Sequence, residues 1–120
     1  MLHHVILEVS DLQRSAKFYD ALISPLGWRR HANGPGVIGY GISRPILFIT
    51  ERNGARPEAT LVSLAAPGIA AIKAGWEAGC ANGGSNVARP GETSGHGSGS
   101  YSAFLRDPDG HDIEITVSSD

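Results

Sequence analysis

Residues 4–28 read "HVILEVSDLQRSAKFYDALISPLGW", and this stretch decides the predicted fold. Apolar residues stand at every second position from Val5 to Val9, which indicates a strand. The following "SDLQ" predicts a helix that starts with Ser10 as its N-cap, in a capping box. One helical face then carries the apolar residues Leu12, Tyr19, Ile23 and Leu26. Gly27 is typical of a residue that ends a helix in the left-handed conformation.

The same pattern recurs in the second half of the chain, where Val62 matches Val5 and Gly84 matches Gly27. Three short strand candidates follow each predicted helix. They are "WRRHA", "GVIGYGI" and "PILFIT" in the first half, and "NVARP", "SYSAFLR" and "HDIEITV" in the second. Late in the chain the offset between matching positions grows, so that Ile113 matches Leu47. The additional residues lie in the Gly/Ser-rich loop "GETSGHGSGS" (91–100), which has no partner in the first half.

This repeat predicts an α+β fold built from two βαβββ modules within a single domain, residues 1–120. Module 1 covers about residues 1–55 and module 2 about residues 59–118, and "ERNGARPEA" (51–59) forms the linker. One module is too small to cover both faces of its sheet. We therefore expect the modules to form a concave mixed sheet around a cavity, with the helices on the outer face.

The composition excludes several classes of protein. The chain has 120 residues and a net charge of −2, and no basic face stands out, which argues against a nucleic-acid partner. No run reaches the roughly 18 apolar residues of a membrane span, and the N-terminus does not resemble a signal peptide. Cys80 is the only cysteine, so an internal disulfide is impossible and a reducing cytoplasm is favoured.

Strand alternation predicts which side chains face the cavity. The apolar set of the first strand should pack beneath the helix, which leaves His4 on the other face. The last strand leaves Glu114 on that face by the same reasoning, so a shared site is possible. The repeat gives Leu61 as the equivalent of His4 and Phe48 as the equivalent of Glu114. These two residues cannot bind a metal, but their apolar wall suits an organic ligand.

The opening segment, "FLRDPDGHDIEI" (104–115) and the paired modules resemble the vicinal oxygen chelate superfamily. Its members include glyoxalase I, extradiol dioxygenases, fosfomycin-resistance enzymes and bleomycin-binding proteins. In its metalloenzymes the ligands come from the first and last strands of the modules, and His4 and Glu114 match two of them. The glyoxalase I pattern requires a glutamate where Phe48 stands and a histidine where Leu61 stands. The extradiol dioxygenase pattern also requires a histidine where Leu61 stands.

Two functions follow from this partial match. The leading hypothesis is lyase- or dioxygenase-type chemistry on a small molecule, assisted by Mn, Fe, Ni or Zn acting as a Lewis acid. A catalytic metal usually has three protein ligands or more, so substrate, water or another residue would have to complete the pair His4 and Glu114. His96, in the 91–100 loop, is the candidate. His96, Tyr101 and Glu114 are then the expected catalytic residues.

The alternative is a metal-free protein that binds a drug or metabolite, in which a hydrogen bond between His4 and Glu114 would satisfy both side chains. Under either hypothesis we expect a homodimer, in which the two residues can come from different chains. The "DPDG" turn (107–110) is interpreted as structural, His111 beside it as solvated, and Cys80 as part of the core.

Overall fold

The computed structural model describes residues 2–57, 59, 61–93 and 101–117. The first half contains β1 (Val5–Val9), α1 (Leu12–Ile23), a 3₁₀ helix (Ser24–Leu26), β2 (Arg29–Gly34), β3 (Val37–Gly41) and β4 (Leu47–Glu51). The second half contains β5 (Leu61–Ala65), α2 (Ile69–Ala81), β6 (Ser85–Glu92), β7 (Tyr101–Arg106) and β8 (Asp112–Val117). The predicted α+β class and the two βαβββ units are confirmed. Neither described helix has the length and apolar character that crossing a membrane requires.

Each module carries its own four-stranded mixed sheet. The strand orders are β1-β4-β3-β2 and β5-β8-β7-β6, with β1 parallel to β4, β5 parallel to β8, and the other pairs antiparallel. Val5 pairs with Leu47 in the first sheet, and their sequence equivalents, Val62 and Ile113, pair in the second. The repeat that the sequence displays therefore extends to the strand register.

The core lies where the helices of the two modules pack against each other and against the sheets. Leu22 of α1 is fully buried there. A Cβ placed on Gly79 of α2 would lie 2.8 Å from Leu105 and 3.1 Å from Leu22. The absence of a side chain at Gly79 therefore allows α2 to approach both α1 and β7.

The start of α1 differs from the prediction. Its N-cap is Asp11, whose Oδ1 accepts a hydrogen bond from the Arg14 backbone N–H at 3.0 Å. Ser10 instead donates from its backbone N–H and its hydroxyl to the Asp109 carboxylate. The capping box at Ser10 was wrong, because a partner 99 residues away engages this serine. Gly27 does end the following 3₁₀ helix in the left-handed conformation, with φ of 81°.

The turn between β7 and β8 joins the second module to the first. Asp107 is 3% exposed, and its Oδ2 accepts a hydrogen bond from the Tyr19 hydroxyl of α1 at 2.6 Å. Asp109 pairs with Arg14 at 3.1 Å. Burial, followed by the charge of Asp107, raises the pKa of Tyr19 well above its ordinary value. The turn is therefore a polar contact between the modules.

His111 does not lie in solvent, so that interpretation was wrong. It is 1% exposed, and its Nε2 lies 2.7 Å from the Glu8 carbonyl oxygen of β1. The physical reason is the position of β1 at the end of its sheet, where a strand keeps backbone groups that no neighbouring strand can pair. A buried carbonyl of this kind needs a hydrogen-bond donor, and a ring nitrogen from the other module meets it.

Candidate functional site

The open edges of β1 and β5 are both contacted by the opposite module. The Ala65 carbonyl of β5 accepts a hydrogen bond from the Trp28 indole N–H of the first module at 3.2 Å. The His111 contact with Glu8 is its counterpart on β1. Two ring–carbonyl contacts thus connect the sheet edges, and the seam between β1 and β5 holds the candidate site.

A cavity of about 310 Å³ lies in this seam, and we call it the seam cavity. Its polar lining residues are His3, His4, Arg44 and Ser63, and the rest of its wall is formed by Leu2, Val5, Trp28, Ile46, Leu47, Leu61, Val62 and Leu64. Side chains from both modules therefore enclose one mostly apolar space. A second cavity of about 350 Å³, the side cavity, shares His3, His4 and Arg44 with it and is otherwise lined by Ile6, Pro45 and Phe48.

His4 is exposed at the mouth of both cavities, just before β1. Its ring packs edge-on against Phe48 with the ring centroids 5.6 Å apart. Its Nδ1 lies 2.8 Å from Nδ1 of His3, so one of these nitrogens donates and the other accepts. Nε2 is then the nitrogen of His4 that remains to meet a ligand.

Glu114 lies in the middle of β8 and is 1% exposed. Its neighbours across the sheet are Ser63 and Phe104, and the Ser63 hydroxyl donates a hydrogen bond to its Oε1. Ser63 lines the seam cavity, whereas Glu114 does not. The carboxylate therefore lies behind the cavity wall, and His4 lies at its surface.

The remaining predicted site residues occupy different positions. Leu61 is 47% exposed and lines the seam cavity together with His4. Tyr101 is half-buried at the start of β7 and packs against the core, on the strand face opposite to Phe104 and Glu114. His96 lies outside the described residues.

Two ionisable side chains outside the cavities, Tyr40 and Cys80, lie at the core. Tyr40 is fully buried and donates a hydrogen bond to Asp20 at 3.0 Å. Burial and the Asp20 charge raise the pKa of the Tyr40 hydroxyl. Cys80 is half-buried against the core, and burial raises the pKa of its thiol, which does not favour a nucleophilic role.

Sequence reasoning missed Arg44, Ser63 and His3; from the sequence alone, His3 is expected to point to the helix side or to solvent, whereas it lines both cavities. Ser63 follows Leu61 by two positions, so the alternation that put Leu61 on the cavity wall already implied it. Arg44 belongs to the loop between β3 and β4, where no periodic pattern applies. The sequence feature that relates to the position of Arg44 is Gly41. A Cβ at Gly41 would lie 1.8 Å from the Arg44 carbonyl oxygen, so the loop can fold back closely only on a glycine.

The described residues do not by themselves fit a catalytic metal. Among residues 2–57, 59, 61–93 and 101–117, no group of three or more His, Cys, Asp or Glu side chains is placed to hold an ion. Two potential ligands are present in this part of the chain: His4 lies at the surface of the cavity, and Glu114 lies behind the cavity wall. Three protein ligands are the usual minimum for a catalytic zinc site.

Comparison with known proteins identifies the family. The sequence profile of the Glyoxalase/Bleomycin resistance protein/Dioxygenase superfamily matches residues 1–115. The chain belongs to this superfamily. The predicted resemblance is confirmed, because the vicinal oxygen chelate proteins are this same group.

Solved structures of the superfamily share the fold. A glyoxalase/bleomycin resistance protein from Albidiferax ferrireducens T118 is 32% identical, with a TM-score of 0.88, and the match covers 96% of this chain and 97% of that one. A glyoxalase-related enzyme from Fulvimarina pelagi is 22% identical, with a TM-score of 0.75 and coverage of 98% and 88%. The fosfomycin resistance protein FosX from Mesorhizobium loti is 16% identical, with a TM-score of 0.72 and coverage of 99% and 92%. The search of curated proteins finds no match.

Proposed function

We propose that this member of the superfamily binds a small organic molecule in the seam cavity. The observation that carries the proposal is a partly open space of about 310 Å³, lined by apolar side chains of both modules and by four polar residues. Small-molecule sites generally have this form, a mostly apolar concave wall with a few polar groups that orient the ligand. Leu61 supports binding over metal chemistry, because it supplies an apolar surface where a metal site would need a ligand.

A cavity-filling substitution tests this proposal. In Leu61→Trp the indole occupies space in the seam cavity, and calorimetric titration with a library of aromatic compounds should show affinities reduced by at least about tenfold. The matched control is Val87→Trp, since Val87 is 48% exposed, Leu61 is 47% exposed, and Val87 does not line this cavity. Binding that is absent from the unmodified protein, or equal in both variants, would contradict the proposal.

Metal-assisted lyase or dioxygenase chemistry is the second candidate. It is favoured by the position of His4 at the cavity and by the buried carboxylate of Glu114 behind Ser63. A third ligand would have to come from outside the described residues, and His96 is the one that we propose. In this candidate Glu114 and His96 keep their proposed catalytic roles, whereas Tyr101, which packs against the core on the strand face opposite to Glu114, does not.

Metal analysis distinguishes the two candidates. After incubation with Mn, Fe, Ni and Zn, the second candidate requires a near-stoichiometric metal content that disappears in His4→Ala, Glu114→Gln and His96→Ala. His31→Ala is the control, because the His31 ring contacts the Gly41 carbonyl oxygen at 2.9 Å and lines neither cavity. A protein that takes up no metal but binds an aromatic compound supports the first candidate alone.

We also propose that the chain forms a homodimer in the cytoplasm. Six large apolar side chains are exposed in the described residues: Leu2, Ile6, Ile42, Leu61, Ile69 and Val87. Burial of such surface by a second copy is a common reason for association. Light scattering should give the mass of a dimer at micromolar concentration, and the substitution Ile6→Lys should lower the measured mass. A monomer at that concentration would refute the dimer.

A further inference from the structure

On the assumption that the proposed function is right, we propose that the seam cavity selects organic anions. The anionic group is held at Arg44, His3 and His4, and a compact apolar body extends towards β5. The inference concerns the chemical class of the ligand, and it rests on the distribution of charge around the cavity.

Among the described lining residues of the two cavities, Arg44 is the one with a permanent charge. His3, His4 and Arg44 border both the seam cavity and the side cavity, and neither lining, among the residues that the structure describes, includes an Asp or Glu. Arginine presents a planar fork of N–H donors that matches the oxygens of a carboxylate or phosphonate. Arg44 is exposed, so its advantage for an anion lies in the geometry of this fork and in its permanent charge.

Arg44 is held in place by contacts that, within the described part of the chain, include no acidic side chain. Its Nη1 donates a hydrogen bond to the His3 carbonyl oxygen at 3.0 Å, and the close approach at Gly41 fixes its loop. Arg30 and Arg52, by contrast, pair with Asp20 and Glu8. Among the described residues no carboxylate forms an ion pair with Arg44, so its charge is available to a ligand.

The two walls of the cavity orient the ligand. Arg44, His3 and His4 belong to the first module, whereas Leu61 of β5 supplies an apolar surface on the other side. The nearby carboxylate of Glu114 lies behind Ser63 on this second wall. The guanidinium of Arg44 stands on the first-module side, and the described β5 side carries no cationic lining residue, so the charged group belongs at Arg44 and the apolar body at β5.

The size of the cavity sets the size of the ligand. About 310 Å³ is near the lower end of the range of roughly 300–1,000 Å³ found for small-molecule sites. A single substituted ring with one acidic group is therefore a suitable probe. Benzoate and phenylphosphonate carry the two anionic groups, and benzamide has the shape of benzoate without its charge.

The test uses Trp28, whose side chain lines the cavity. In a Trp76→Phe background Trp28 is the remaining tryptophan, because the chain has two, and its emission reports titrations with the three probes. We expect benzoate or phenylphosphonate to bind at least about tenfold more tightly than benzamide. Arg44→Gln should remove the preference for the anions, and Arg44→Lys should restore part of that preference. The control is Arg52→Gln, which makes the same change in charge outside both cavities and should leave the preference unchanged.

Each outcome has a separate meaning. A stronger response to benzoate identifies a carboxylate ligand and a stronger response to phenylphosphonate identifies a phosphonate, and both support the inference. Benzamide binding as tightly as both anions, or an anion affinity that Arg44→Gln leaves unchanged, overturns the inference while the proposed binding function stands. Binding of none of the three probes at millimolar concentration also overturns the inference, and the proposed binding function then depends on the titration with the library of aromatic compounds.

Discussion

Removal of the Tyr19 hydroxyl tests the polar contact between the modules. The hydroxyl donates to Asp107 at 2.6 Å, and the two residues are 0% and 3% exposed. In Tyr19→Phe the buried carboxylate loses this donor, while its Oδ1 keeps the backbone N–H groups of Asp109 and His111. Hydrogen bonds to charged groups contribute about 1.5–3 kcal/mol, so we expect the free energy of unfolding to fall by about 2 kcal/mol.

This change in free energy is large enough to measure by thermal unfolding. An unfolding entropy of about 2.1 cal/mol/K per residue gives about 0.25 kcal/mol/K for this chain, so Tm should fall by about 8 °C. The matched control is Tyr40→Phe, which removes a hydroxyl bound at 3.0 Å to Asp20, an exposed carboxylate that also pairs with Arg30. Its expected cost is about 1 kcal/mol or less. Equal losses in the two variants, measured by urea unfolding and calorimetry, would refute the role assigned to the Tyr19 contact.

Further predictions concern pH and packing. The pKa values of Tyr19 and Tyr40 are raised in the folded chain. Their contribution to stability is therefore present below the ordinary tyrosine pKa of about 10 and is lost as the pH rises above that value. Urea unfolding should show this loss of stability at high pH, and the loss should be smaller in each of the two Phe variants. Gly79→Ala brings a Cβ within 2.8 Å of a leucine methyl and should lower the free energy of unfolding by about 1–3 kcal/mol. In the control Gly91→Ala the nearest neighbour of the new Cβ is at 3.9 Å, so urea unfolding should change little. Equal effects of the two substitutions would contradict the packing argument. Trp28→Phe removes the indole N–H from the edge of β5 and should cost about 1–3 kcal/mol, and unchanged stability would show that water replaces it.

The elements that depend on local periodicity could be predicted from the sequence. Alternation identified β1 and β8, and the internal repeat matched Val62 with Val5 and Ile113 with Leu47, which are the residues that pair in the two sheets. These features follow from the near neighbours of each residue along the chain. They therefore leave a pattern in the sequence itself.

The features that depend on distant contacts could not be predicted in this way. Ser10 and His111 were assigned from the short segments around them, but their partners are Asp109 and Glu8, which lie 99 and 103 residues away. The site shows the same limit. Alternation gave its strand positions, whereas Arg44 is placed by a loop that folds back on a glycine and has no periodic signal.

The two ring–carbonyl contacts make the repeated halves of the chain unequal. In the repeat, Ser85 stands at the position of Trp28, and Pro45 stands at the position of His111. Neither can offer a ring N–H to a carbonyl, so each half donates from one position only, Trp28 in the first half and His111 in the second. The acceptor carbonyls, of Glu8 and Ala65, are by contrast equivalent positions of the repeat. The same strand edge is therefore satisfied twice by different rings, which is how two copies of one unit can diverge in sequence while each keeps its contact with the other.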